Sequence, residues 1–496
     1  MASKISRRKF LKTSATAALG IAVAPTIVPN VILGKQFGHV PPSDALNILG
    51  VGVGGRGAGV LKAISSQKII GLCDVDWKYA DGTFKRYADA KRFYDYRKMF
   101  DELGKSADAV VVATADHTHA IIASEAMTMG KHVYVEKPLT HTVYESRLLT
   151  RLAAHHRVAT QMGNQGASAA GVRQTCAWIW NGEIGDVVKV EAATDRPIWP
   201  QGLETPAKAD KIPATLNWDL FSGPAEVRPY NAIYHPWNWR GWWLYGTGAL
   251  GDMACHILHP VFKALKLGYP TKVEGSSTQL LKDCAPQAQH VKLTFPAREN
   301  LPKVAMPEVV VHWYDGGMMP DRPAGFPEGK QLMGDGGGLV IFHGTKDTLI
   351  CNCYGADPWL LSGRTPKSPE VLREVTESHE LDWVRACKES ADTRVKTTSD
   401  FSEAGPFNEM VVMGVLGVRL QALNKELHWD GEKMQFTNIG PDETIKMKIS
   451  DGFSIKDGHP TWKPTETEPQ SAIAFANEMI KHTYREGWKL PAMPVS

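Results

Sequence analysis

Cysteine is scarce. The 496 residues hold seven, an odd number, and the pair Cys351-Asn352-Cys353 does not have the spacing of a metal box. Buried free thiols are the plain expectation, ahead of a disulfide framework. Excess charge is also missing: a net charge of +3 gives no case for nucleic acid or an anionic membrane surface as partner. The apolar run Ala15 to Ala24 is too short to span a bilayer, and Pro25 and Pro29 interrupt its continuation, so no membrane span is expected. There is no internal repeat or low-complexity tract. What remains is 43% hydrophobic and 22% charged, ordinary for a globular chain and long enough for two domains with full cores. Tryptophan is the one excess. Fifteen indoles suggest that some line a pocket or an interface.

The N-terminus reads Ser6-Arg7-Arg8-Lys9-Phe10-Leu11-Lys12 ahead of that mild apolar run. Paired arginines before a short, weakly hydrophobic stretch resemble a twin-arginine export signal; a disordered basic tail is the bland alternative. Ala22-Val23-Ala24 looks like a cleavage site, although Pro25 directly after it should hinder the peptidase. No cysteine is available there to carry a lipid. Residues 1–34 are therefore expected to be the signal, and 35–46, with Pro41-Pro42, an extended arm or linker. The expected location is the periplasm. The twin-arginine route carries folded proteins, so a cofactor can travel already bound. With no free NAD pool outside the cytoplasm, such a cofactor must be held tightly and returned to its starting redox state in each cycle.

The segment Asn47 to Asp76 carries the clearest signal. A buried-strand run, Ile48 to Val53, breaks into Gly52, Gly54 and Gly57 at the G-x-G-x-x-G spacing, with Gly55 and Arg56 inside the turn. A helical pattern and a second apolar run follow, ending in Asp74. This is the dinucleotide fingerprint: glycines for the turn, for close approach to a pyrophosphate and for helix–strand packing, then a helix N-terminus for the phosphates. Asp74 lies where a carboxylate accepts both ribose hydroxyls and would repel a 2′-phosphate, which favours NAD over NADP. A bare glycine-rich turn is the alternative.

Strands and helices then alternate. Ala107 to Thr114 is a strand ending in Ala115-Asp116-His117-Thr118-His119; Lys131 to Val135 ends in Glu136-Lys137-Pro138; Val158 to Gly163 ends in Asn164-Gln165. The alternation predicts a parallel, doubly wound Rossmann sheet over 47–166. Ligands of such sheets sit at the carboxyl ends of the strands. The glycine turn, Asp74, Thr114, Asp116, His117, His119, Glu136, Lys137, Asn164 and Gln165 are therefore expected to converge on the cofactor.

From about residue 167 the texture changes. Period-two strands at Val187–Ala193, Lys272–Leu280, Val291–Phe295 and Glu308–Trp313 predict a second, α+β domain over 167–496 with a large, mostly antiparallel, open-faced sheet. A second subunit is the simplest cover for its free face, giving a homodimer or homotetramer. Between Trp199 and Tyr245 lies an aromatic-rich insertion. It reads either as core filler or as a pocket wall that stacks on sugar rings, with Trp239, Arg240, Trp242 and Tyr245 as candidate substrate contacts. It leads into Gly248-x-x-x-Asp252-x-x-x-His256, where a helix from near Gly251 to about Leu267 puts Asp252 and His256 on one face. Taken alone, these could be a capping Asp and a core His.

Taken in order, the glycine turn, Asp74, Thr114 to His119, Glu136-Lys137-Pro138 and Gly248-x-x-x-Asp252-x-x-x-His256 resemble the Gfo/Idh/MocA oxidoreductases, which include glucose–fructose oxidoreductase and inositol dehydrogenase. The resemblance covers nearly the whole chain after residue 45. It implies a Rossmann domain joined to an open-sheet α/β domain whose sheet face makes dimers or tetramers. It also implies Lys137 and His256 as the catalytic pair, assisted by Asp252. Ala115 stands where many members have Pro, and His259 where members often have Asp. Some relatives are NAD-dependent glycosidases carrying Tyr-Pro-Thr-His-Gly in the region of Leu250 to His256; that motif is missing here.

Oxidising a secondary alcohol needs a base for the hydroxyl proton and an acceptor for the hydride. His256 has a suitable intrinsic pKa for the base, and Asp252 could orient it or bind a hydroxyl. Lys137 can stabilise developing alkoxide charge. A closed redox cycle leaves three options: oxidising one sugar while reducing another, oxidising a glycoside at C3 so that a partner lyase or this protein can cleave it, or epimerising. The resemblance favours a sugar or glycoside C3 oxidoreductase. The rival classes are a metal-dependent hydrolase using His117, His119, Asp252, His256 and His259, and a non-catalytic sugar- or nucleotide-binding protein.

Overall fold

Short apolar runs bounded by turns become the strands of a parallel six-stranded sheet: β1 Asn47–Val51, β2 Lys68–Cys73, β3 Lys91–Phe93, β4 Ala109–Val112, β5 His132–Val135 and β6 Thr160–Met162, in the order β3-β2-β1-β4-β5-β6. The computed structural model describes residues 44–369 and 371–495. The expected export signal, and the expected arm up to residue 43, lie outside the described residues. β1 pairs in parallel with both β2 and β4, so the strand order reverses between β1 and β4 and opens a crevice at their carboxyl ends. Gly52, with φ +75°, makes the turn out of β1; a Cβ there would lie 2.6 Å from the Ala113 carbonyl oxygen. A Cβ on Gly57 would lie 2.1 Å from the Gly52 carbonyl oxygen, so the helix Arg56–Ala63 can pack on the strand only with glycine there.

The second sheet has nine strands: β7 Val187–Thr194, β8 Lys272–Ser277, β9 Gln289–Phe295, β10 Val309–Tyr314, β11 Gly338–Gly344, β12 Thr348–Asn352, β13 Trp359–Leu360, β14 Leu427–Asp430 and β15 Gln435–Phe436. Their order is β13-β12-β11-β7-β10-β9-β8-β14-β15, and every pair is antiparallel except β7 with β10. Helices Gly248–Ile257 and Phe401–Arg419 pack on one face. The opposite face carries half-buried polar side chains, among them His290 stacked on Tyr314 at 4.6 Å.

The sequence boundary at 166/167 does not separate the packing. Helix Phe401–Arg419 also packs on the Rossmann helix Val143–His156, where Arg147 makes two 2.8 Å bonds to Glu409 in a buried, bidentate ion pair. Helix His379–Cys387 puts Trp383 and Val384 into one core with Ile48, Val111 and Tyr134 of the first sheet. Two other expectations change. The helix expected from Gly251 to Leu267 is two, Gly248–Ile257 and His259–Ala264, with Pro260 at the start of the second. The helix expected from Glu409 begins at Phe401, where Asp400 caps it through Ser402 N–H, and it continues through Pro406. All seven cysteines are buried free thiols.

Candidate active site

The carboxyl ends of β1, β2, β4 and β5 open into a cleft of about 720 Å³, roofed by the insertion that precedes the helix Gly248–Ile257. Gly52, Gly55, Arg56, Asp74, Thr114, Glu136, Lys137, Gln165, Trp239, Arg240, Asp252 and His256 all line it, as the sequence led us to expect. The helix Arg56–Ala63 begins at Gly55 without a side-chain cap; Ala58 N–H bonds the Gly55 carbonyl (3.1 Å), which leaves the Arg56 and Gly57 N–H groups for an anion. Asp74 braces the glycine turn: Oδ2 accepts from Val53 N–H (2.8 Å) and Gly54 N–H (2.9 Å), and Oδ1 from Asp76 N–H (3.0 Å). Burial pushes its pKa up to about 6, against the pull of these donors. A glycine turn of this shape, an uncapped helix end and a carboxylate at the end of β2 fit a dinucleotide. Arg56 ties the turn to the end of β5 and to the helix His379–Cys387, bonding Glu136 at 3.1 Å and Glu380 at 2.8 Å.

At the other end of the cleft, Lys137 Nζ is 2.6 Å from Asp252 Oδ1, which also accepts from Arg240 Nε at 2.9 Å. Burial opposes the Asp252 charge, but the two cations hold its carboxyl well below the usual range. Asp252 does not hydrogen-bond His256; it orients Lys137 and Arg240 instead. His256 is buried, its Nδ1 has no hydrogen-bond partner, and its ring lies 4.8 Å from that of Tyr354. Burial, and then the Lys137 charge, push its pKa down to about 3, so the imidazole is neutral at ordinary pH. The Arg240 guanidinium lies between Trp237 (4.0 Å) and Trp239 (4.3 Å).

Several expected contacts lie elsewhere. Asp116 is buried and accepts from Thr247 N (3.1 Å) and Oγ1 (2.8 Å), anchoring the approach to the helix Gly248–Ile257. His117 sits between the carbonyls of Tyr245 and Phe221, and His119 between those of Pro138 and Thr114. Burial pushes both pKa values down to about 4. His119 locks the ends of β4 and β5 together and His117 ties the insertion to the helix that starts at Asp116, so neither joins Asp252 and His256 around a metal. His259 pairs with Glu403 (2.8 Å). Trp242 and Tyr245 are fully buried in an aromatic core with Tyr234 and Trp218, which resolves that part of the insertion as core filler. Gly54, Gly57 and Asn164 shape the site from beneath. A Cβ on Gly54 would meet Tyr79 at 2.3 Å, and neither side-chain polar atom of Asn164 has a partner.

Among the cleft residues that sequence reasoning missed are Tyr79, His235, Trp237, Tyr354 and Trp488. Tyr79 lies over the glycine turn, and His235 Nε2 sits 3.1 Å from Asp76 Oδ2. Asp76 also accepts from Thr215 Oγ1 (3.0 Å), fastening the roofing insertion to the end of β2. Tyr354 holds φ +63° beside His256, a strain that often marks functional sites but leaves no trace in sequence. Trp488 arrives from the C-terminal segment and stacks under Arg97 at 4.4 Å.

Residues 46–164 match the model of an oxidoreductase family's NAD-binding Rossmann fold, and residues 187–298 that of an oxidoreductase family's C-terminal alpha/beta domain. Glycosyl hydrolase family 109 protein 2 of Shewanella sp. (strain ANA-3) is 30% identical over 316 residues, covering 60% of this chain and 62% of the relative. The chain thus spans less than two thirds of that relative's length. Inositol 2-dehydrogenase of Salmonella typhimurium is 27% identical over 146 residues, 28% of this chain and 43% of that one. The WlbA dehydrogenase of Bordetella pertussis, solved with NADH and UDP-GlcNAcA, shares the fold at a TM-score of 0.50 and 15% identity, covering 78% of this chain and 99% of that one. GenD2 from gentamicin A biosynthesis, solved with NAD, does so at 0.51 and 17%, covering 79% and 98%.

Proposed function

Both matched domains belong to the Gfo/Idh/MocA oxidoreductase family, and on that premise we propose that the chain oxidises a secondary alcohol of a sugar or glycoside, at C3. The first domain is an NAD-binding Rossmann fold, and the cofactor is NAD. The glycine turn, the first-turn N–H groups after Gly55, and Asp74 would hold it. Bound there, NAD supplies the acceptor for the hydride leaving the alcohol carbon.

The observation that carries the reading is the cluster of Lys137, Asp252, Arg240 and His256 at the cleft end away from Asp74. Lys137 donates from Nζ to the reacting oxygen and steadies the negative charge that develops on it. Asp252 fixes Lys137 and Arg240 in position. His256, neutral at working pH, accepts the hydroxyl proton on a ring nitrogen. Its depressed pKa makes it a weak base, so the Lys137 charge carries the larger share of the stabilisation. Trp237 and Trp239 offer flat walls for a sugar ring.

The N-terminal pattern supports export to the periplasm, and with it a nucleotide that stays bound and is recycled in the site. We further propose that the open face of the second sheet is covered by another copy of the chain, and that a partner lyase can take the oxidised product. A second reading, NAD-dependent glycoside cleavage through transient oxidation, draws support from the family 109 relatives. The test is to add a panel of sugars and aryl glycosides to purified protein while following nicotinamide absorbance and aglycone release. Lasting reduction by a sugar or glycoside supports the dehydrogenase. Aglycone release without net reduction favours the glycosidase. Neither signal with any compound rejects both.

A further inference from the structure

A second cavity, of about 330 Å³, lies between the C-terminal end of the helix Phe401–Arg419, the helix Ala472–Ile480 and the loop 224–228. It shares no lining residue with the cofactor cleft. Three N–H donors of its wall residues are buried without an acceptor: Arg419 Nε, Arg228 Nη1 and Trp243 Nε1. Buried donors are normally paired, and an unpaired one costs about 1–3 kcal/mol.

Arg419 is the most telling of the three. Among the described residues no carboxylate lies within ion-pair distance of it; its guanidinium sits 5.3 Å from the ring centroids of both Trp243 and Phe475. Burial pushes its pKa down only to about 10, so the charge persists at neutral pH. The acids nearby are already committed. Asp283 accepts from Arg228 Nη2 (2.7 Å) and Thr205 Oγ1 (2.6 Å). Glu478 accepts from Thr483 N–H (2.7 Å) and Oγ1 (2.8 Å). Glu226, the remaining acid of the wall, is exposed. Asp283 and Glu478 offset part of the Arg419 charge through space, but neither brings an acceptor to its Nε. A ligand that offers only acceptors answers all three donors, and charge-assisted bonds to the guanidinium groups favour one that carries negative charge.

We propose that this cavity is a binding site for a small oxyanion, a phosphate or a carboxylate, held by Arg419 with Arg228 and the Trp243 indole. The site stands apart from the reacting groups and does not depend on the activity proposed above.

Thermal unfolding of the purified protein with its nucleotide bound tests this, because the glycine turn is then occupied. Inorganic phosphate and acetate are titrated separately at constant ionic strength, with chloride as the control. The expected result is a saturable rise in Tm with phosphate or acetate beyond that of chloride, and the arm that saturates identifies the anion. In Arg419→Gln the half-saturating concentration should rise at least about tenfold, the loss of one charge-assisted contact. No saturable rise beyond chloride, or the same titration curve in Arg419→Gln, overturns the proposal. If Arg419→Gln does not fold, Arg228→Gln takes its place: weakened binding supports the site, and an unchanged titration refutes it.

Discussion

Lys137→Ala tests the proposed chemistry most sharply, because the structure separates its catalytic cost from its structural one. Lys137 and Asp252 are each 13% exposed, with 2.6 Å between Nζ and Oδ1. Deleting one partner of a buried ion pair usually costs 3–5 kcal/mol, because the other charge is left alone. Here Asp252 keeps Arg240 at 2.9 Å, so the fold should survive with a smaller loss. The glycine turn, the helix start after Gly55, and Asp74 are untouched, so nucleotide content should be unchanged. What disappears is the cation proposed to meet the developing alkoxide. Loss of such a donor costs about 10²–10³ in rate, or about 2.7–4 kcal/mol. The assay mixes nucleotide-loaded protein with saturating substrate and follows absorbance at about 340 nm over a single turnover. Reduction at the wild-type rate, with nucleotide content intact, would refute the role given to Lys137. Loss of nucleotide as well would instead show Lys137 to be a cofactor-binding group.

Asp74→Ala removes the acceptor of Val53 and Gly54 N–H as well as the carboxylate proposed to hold the ribose, so purified protein should carry less NAD. Nucleotide released on denaturation measures it, and an unchanged content contradicts the assignment. Trp242→Ala should destabilise by about 3–5 kcal/mol, as truncation of a buried indole does, while leaving KM alone. Trp239→Ala, at the cleft wall, should raise KM; denaturant melts and steady-state kinetics separate the two. His117, His119 and His256 have folded pKa values near 4, 4 and 3, below the unfolded 6.5. Their stabilisation is therefore full above about pH 6.5 and is lost as pH falls, because the unfolded chain takes up the protons. His117 and His119 should each account for about 3 kcal/mol by pH 4. Urea melts across that range should show it, and stability that stays level from pH 7 to pH 4 would contradict it.

The Rossmann half was legible because its signals are local. A strand, a glycine turn and an acid about 20 residues on are set by neighbouring residues and by the closeness of helix to strand. Lys137, Asp252 and His256 were also legible: the first from a strand's carboxyl end, the other two from helical spacing. The errors have physical causes. Asp116, His117 and His119 follow a strand end, as ligand-binding residues do, but they fall in the first turn of a helix whose side chains point into the protein. There His117 and His119 meet backbone carbonyls and Asp116 meets Thr247. Sequence cannot separate Trp242, a core filler, from Trp239, a wall of the cleft, since both are indoles of one insertion. Tyr354 and Trp488 come from more than 200 residues beyond Lys137, and only tertiary packing brings them to the cleft. Asp252 was expected beside His256; its preference for Lys137 and Arg240 depends on the roofing insertion, whose course cannot be read from spacing.

The central claim is that the cleft holds NAD as a resident group that a sugar or glycoside reduces. Purified protein should be denatured, and its released nucleotide identified, before and after exposure to a panel of sugars and glycosides. The account predicts stoichiometric NAD before exposure and NADH after exposure to at least one member of the panel. Protein that releases no nucleotide and carries a stoichiometric metal instead would contradict it.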